Sequence, residues 1–175
     1  MVALLLTTPA HALTRDETWA LAKPISGSYN VRVEGLQISG DDAGGPPPGE
    51  IGILLKNSRA VVLERNQIAR VFLGIFVRGG GAGANRIAAN VVAGGQNGQL
   101  GICYNPDGSA DPDGPTGDLV YNNLVSRFQI GIQTSAGTSG NVFRENNLAF
   151  VQQGIQEVTP GSNVFSENTE VQIGL

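Results

Sequence analysis

Five asparagines keep step along this chain. Asn66, Asn90, Asn123, Asn146 and Asn168 stand 24, 33, 23 and 22 residues apart. Four of them sit in the frame apolar-x-x-Asn-x-apolar: Leu63 to Ile68, Ile87 to Val92, Val120 to Val125 and Phe143 to Leu148. The fifth copy starts at Phe165 but ends in Glu170, and Val33, Leu36 and Ile38 form a degenerate first copy. A second landmark, Gly-Ile, recurs at Gly52-Ile53, Gly74-Ile75, Gly101-Ile102, Gly131-Ile132 and Gly154-Ile155, its glycine eight residues after the asparagine in three of the coils. Two landmarks in fixed order and nearly fixed phase mean one structural unit repeated.

A period near 22 that holds three short apolar runs is what one turn of a three-sided solenoid needs. Each run is a short strand that must stop at a tight bend. Asparagine suits one such bend because it tolerates the left-handed backbone that β-branched residues avoid. Coils stack about 4.8 Å apart, so each amide can donate to the next and form a ladder. A leucine-rich repeat lacks the required regular Leu spacing here, and an ordinary β-sandwich would have no reason to hold both landmarks in register.

Composition agrees. The 175 residues suit one domain, and 25 Gly and 9 Pro with only 15% charged residues point to a turn-rich all-β chain. A net charge of −4 with 11 scattered basic residues speaks against nucleic acid as a partner. No apolar run reaches the 18 residues of a membrane span, so no membrane insertion is expected. One cysteine, Cys103, cannot form an internal disulfide, and the one histidine is His11.

The repeat resembles that of right-handed parallel β-helix proteins of the pectate-lyase-like superfamily. The resemblance spans roughly residues 28 to 170 and rests on NVFREN (141–146), NVFSEN (163–168) and the Gly-Ile strands. It implies an all-β, right-handed parallel β-helix of three sides and about five to six coils. Many members of that superfamily bind or cleave acidic polysaccharides; others are adhesins, tailspikes or structural proteins.

Upstream, MVALLLTTPAHA (1–12) reads as a signal-peptide remnant ending in an A-x-A site, which implies a secreted or periplasmic protein; an initial strand is the alternative. Residues 13–27 form a lead-in, where Thr14-x-x-Glu17 has the form of a capping box and predicts a short N-terminal capping helix running to Pro24. The solenoid takes 28–175. Its last residues, TEVQIGL, offer no polar cap, so the C-terminal edge is a place for self-association.

Departures from the period mark the candidate site. From Leu36 to Gly52 is 16 residues, which makes 39–50 an insertion before a Gly-Ile strand. From Gly101 to Val120 is 19, which makes NPDGSADPDGPTGD (105–118) an insertion after one. Both flank the same sheet. If the isoleucines of Gly-Ile point inward, their successors Leu54, Phe76, Cys103, Gln133 and Gln156 form an outward column. Walled by the two insertions, that column would be the floor of a trough for an extended polysaccharide, with an aromatic face and amides for a sugar chain. Coverage of Leu54 and Phe76 by the proline-rich insertion is the alternative.

The acidic insertion imitates a calcium loop in part. Asp107, Asp111 and Asp113 alternate with other oxygen-bearing residues before Gly114, but the bidentate Glu is missing because position 120 is Val. Calcium held by these three aspartates and a plain solvated turn both remain open. Whether the trough is catalytic is likewise open. As a small polysaccharide lyase it would use Lys56 and Arg78 at the exits of their strands with Asp107 or Asp111, and as a glycoside hydrolase a facing carboxylate pair such as Asp41 and Asp113. The strands lack the acidic triplet with a matching Arg that the lyase resemblance implies. A structural or adhesive solenoid without catalysis is the remaining reading.

Overall fold

A computed structural model describes residues 12–13, 25–26, 30–40, 51–79, 83–105 and 114–172. In chain order the strands are β1 (Ala12–Leu13), β2 (Ile25–Ser26), β3 (Arg32–Glu34), β4 (Gln37–Ser39), β5 (Ile51–Lys56), β6 (Val62–Glu64), β7 (Gln67–Val71), β8 (Leu73–Arg78), β9 (Arg86–Ala88) and β10 (Val91–Gly94). There follow β11 (Leu100–Asn105), β12 (Leu119–Tyr121), β13 (Leu124–Ser126), β14 (Ile130–Thr134), β15 (Val142–Arg144), β16 (Asn147–Val151), β17 (Gln153–Glu157), β18 (Val164–Ser166) and β19 (Thr169–Gln172). Every third strand joins the same sheet. Two sheets have six strands, one has seven, and all pairings are parallel. This is a three-sided parallel β-helix, the all-β architecture expected from the repeat. The parallel pairing begins upstream of residue 28, since Ala12 pairs with Gln37 and Ile25 with Leu55. The helix expected between Thr14 and Pro24 lies outside the described residues.

Each repeat landmark has a physical role. Ile53, Ile75, Ile102 and Ile132 stack inward in register, with Ile155 half-buried in the last coil. The inward column of the sheet that follows each asparagine is Ile38, Ile68, Val92, Val125 and Leu148. A β-carbon added at Gly52, Gly74 or Gly101 would collide with the side chain of Ile68, Val92 or Val125 respectively, and at all three with the next glycine's carbonyl oxygen, at 2.3–2.7 Å. Glycine therefore marks the corner where one inward side chain fills the space another Cβ would take.

The asparagines form the expected ladder. Nδ2 of Asn66, Asn90, Asn123 and Asn146 donates to Oδ1 of the next asparagine at 2.9–3.0 Å. The same Oδ1 also accepts the preceding asparagine's backbone N–H, for example Asn90 N to Asn123 Oδ1 at 3.0 Å. One expectation is corrected. The left-handed residue is the one before the asparagine: Arg65, Ala89, Asn122, Glu145 and Glu167 have φ of 54–55°, and Gly35, before Leu36 in the degenerate first copy, has 71°. The ladder amide instead fills the inside of the bend, satisfying backbone groups that the turn would bury unpaired.

The core changes character along the axis. Its N-terminal coils are aliphatic, while Phe143 meets Tyr104 edge-on at 5.2 Å and stacks on Phe165 at 4.9 Å. In the last coil Glu170 pairs with Leu148 in the inward column, and its carboxylate lies over Gly154. Among the described residues no helix is long and apolar enough to cross a membrane.

Candidate functional site

The outward column exists in the register expected. Leu54 pairs with Phe76, Phe76 with Cys103, Cys103 with Gln133, and Gln133 with Gln156. Alternation about the buried isoleucines turns these side chains to the outer face of the sheet. Leu54, Phe76, Gln133 and Gln156 are half-buried. Cys103 is only 2% exposed, so the middle of the floor is covered rather than open. Burial pushes its thiol up to about 12, which keeps it protonated and unreactive at neutral pH.

Polar atoms of the column are already linked along the axis. Cys103 Sγ–H donates to Gln133 Oε1 at 3.6 Å, and Gln133 Nε2 donates to Gln156 Oε1. Gln133 keeps one further N–H and Gln156 both of its own, and each amide oxygen keeps one further acceptor site for a ligand hydroxyl.

Lys56 and Arg78 are brought together. They pair on adjacent strands, with Asn105 beyond Arg78, and form a second half-buried column two residues from the first. Asn57 and Gly79 follow them in left-handed turns, φ 49° and 94°. Asn57 Oδ1 occupies the space a Cβ at Gly79 would need, which fixes the exit of both strands. The first insertion leads into β5 and the second leaves β11, so both attach to the ends of this sheet. Residues 41–50 and 106–113 lie outside the described residues, and with them Asp41, Asp107, Asp111 and Asp113. Among the described residues no group of three His, Cys, Asp or Glu side chains converges as a metal site.

The sequence reading missed a second ladder. Asn85, Asp118, Asn141 and Asn163 each lie five residues before a member of the first. Asn85 Nδ2 donates to Asp118 Oδ2 at 3.1 Å and Asn141 Nδ2 to Asn163 Oδ1 at 2.9 Å. The signal was available, because the same spacing of 33, 23 and 22 recurs at that offset. Asp118 is 1% exposed and its carboxyl is raised to about 6 by burial, against the hydrogen bonds from Asn85 and Tyr104 that favour the charged form. Tyr104 donates its hydroxyl to Asp118 Oδ2 at 3.1 Å, and burial together with the neighbouring carboxylate raises the phenol well above 10.

No protein-family model matches the sequence, and a search of curated proteins returned no match. Solved structures share the fold. The crystal structure of DFA-IIIase from Arthrobacter chlorophenolicus A6 is similar with a TM-score of 0.63 at 18% identity, over 82% of this chain and 29% of that one. Its complex with GF2 gives 0.61 at 17% with the same coverage. The C387A mutant in complex with DFA-III gives 0.53 at 15%, over 85% of this chain and 33% of that one. This chain thus spans about a third or less of the structures it resembles, and at such identities the likeness is one of fold.

Proposed function

We propose that this β-helix is exported and binds an extended carbohydrate along its axis over Leu54, Phe76, Cys103, Gln133 and Gln156. The observation that carries the reading is the column itself: five outward side chains in unbroken register, running from apolar through aromatic to amide. An aromatic ring gives a sugar's apolar face a surface to stack on, and the amides bond its hydroxyls. The span from Phe76 to Gln133 is about 10 Å at strand spacing, room for about two sugar units. The DFA-IIIase structures support the class of partner, since that protein was crystallised with the carbohydrates GF2 and DFA-III. Lys56 and Arg78, side by side next to the floor, are the groups a catalytic version of the site would use with a carboxylate of the acidic insertion.

A purely structural solenoid is the rival, favoured by the buried Cys103 and its bond to Gln133. Titration of the protein with GF2 and with neutral and acidic oligosaccharides separates the two. On the binding reading Phe76→Ala loses about tenfold in affinity at an almost unchanged melting temperature, because an outward ring adds little to the core. Ile75→Ala melts far lower, its cavity costing about 2–5 kcal/mol. Equal destabilisation by both substitutions, or no binding by the parent protein, leaves the structural reading.

A further inference from the structure

A carboxamide turned over about its last bond exchanges O for NH2 with almost no change of shape, so a file of glutamines has no direction of its own. The file on the floor has one, because it starts at a thiol. Cys103, Gln133 and Gln156 stand in register, and on the other side of Cys103 the column continues with Phe76, whose side chain has no hydrogen-bonding atom. A thiol donates but accepts only weakly. Its proton goes to Gln133 Oε1 at 3.6 Å, which turns Gln133 Nε2 toward Gln156, where it donates to Oε1. Gln156 therefore commits its oxygen to the file and keeps both N–H groups. Its described neighbours in the same coil are engaged elsewhere: Gln153 Nε2 donates to Ile155 O at 3.2 Å, and the two oxygens of Glu157 accept from Gly161 N and Asn163 N at 2.9 Å.

We propose that Cys103 is a positioning residue that gives the floor a polarity: its thiol sets Gln133, Gln133 sets Gln156, and the C-terminal end of the floor presents N–H donors to an accepting oxygen of the carbohydrate. Cys103 itself, 2% exposed, is too deeply covered to touch a ligand and acts through the amides. At the other end Phe76 offers a ring face. A sugar chain is thus read in one direction, with an apolar face toward the N-terminal coils and hydroxyl or ether oxygens toward Gln156. A group that only donates, such as an ammonium, is disfavoured over Gln156, because it would leave those N–H groups desolvated and unpaired. The ligand half of this inference rests on the carbohydrate reading above; the direction of the file does not.

Two measurements test the halves separately. In the free protein, NMR temperature coefficients of the carboxamide protons report which are hydrogen-bonded: one of Gln133 and neither of Gln156 in the parent. In Cys103→Ala, which lets Gln133 turn over, a bonded proton should appear on Gln156 as well. Cys103→Ser, whose buried hydroxyl still has a proton to donate, should restore the parent's pattern. For the ligand, affinities are compared for a glucose oligomer and the glucosamine oligomer of the same length and linkage at about pH 5, where the amines are ammonium. The parent's ratio of affinities in favour of the glucose oligomer should fall about tenfold in Cys103→Ala, the effect of one hydrogen bond, and hold within about twofold in Cys103→Ser. A hydrogen-bonded Gln156 proton in the parent overturns the proposal whatever the protein binds, and so does a ratio that Cys103→Ala leaves unchanged. No oligosaccharide binding by the parent ends the carbohydrate reading and the ligand half with it, while the carboxamide protons still decide the direction of the file. Should Cys103→Ala not fold, the parent's carboxamide pattern decides alone.

Discussion

The ladder from Asn66 to Asn168 is amide at every rung, whereas the one five residues upstream carries Asp118 between Asn85 and Asn141. Both run inside the same coils and both satisfy backbone N–H groups in a bend. The difference is one NH2 exchanged for one oxygen. In the first ladder every amide is matched by its neighbours, and nothing in it responds to pH. In the second, the exchange buries a group whose charge depends on solvent acidity, and neutral donors from Asn85 and Tyr104 are all that meets it. The carboxylate rung is thus one where a further donor, the Tyr104 hydroxyl, enters from another sheet.

Moving the carboxylate to the first ladder tests that conclusion most severely. Asn90→Asp removes the donations to Leu63 O and Asn123 Oδ1 and buries a charge where no tyrosine reaches. At pH 7 it should cost about 3–5 kcal/mol, eased in acid, where the group is neutral. Urea unfolding at pH 5 and pH 7 measures this; a loss no greater than that of Asn90→Ala would erase the distinction between the ladders.

Simple deletion should cost less. Asn90→Ala orphans the backbone N–H and amide of Asn66 as well as Leu63 O, and about 1–3 kcal/mol is expected. Asn97→Ala, at an exposed turn, should stay within about 0.5 kcal/mol of the parent. Matching melting shifts for these two would mean that the ladder contributes nothing particular.

The smallest effect concerns the bend itself. Ala89 holds φ 54° beside Asn90, a conformation glycine adopts without a Cβ clash. Ala89→Gly should raise stability by about 0.5–1 kcal/mol, and Asn122→Gly by less, because asparagine already tolerates that region. A loss in both variants would show that the bends depend on the turn residue more than on the amide behind it.

Legibility followed periodicity. Leu54, Phe76, Cys103, Gln133 and Gln156 could be placed in one outward column from the chain alone, because in a stacked coil the neighbours in space are the residues one period away in sequence. The first ladder and the inward isoleucines were readable for the same reason. The left-handed residue was misassigned by one place, since an exposed bend residue is chemically unconstrained and Arg65, Ala89 and Glu145 show no common signature. The second ladder was missed because Asp118 stood among the acidic residues of an insertion and looked like one of them.

Strand order, inward and outward faces and the reason for each repeated Gly-Ile were therefore determined by sequence, through contacts that recur with the coil. The burial of Cys103, the pairing of Tyr104 with Asp118 and the neutral surroundings of that carboxylate were decided by the tertiary structure. Each depends on side chains from several strands meeting at one place, and the energy of a buried charge depends on which groups surround it rather than on the period that brought them there.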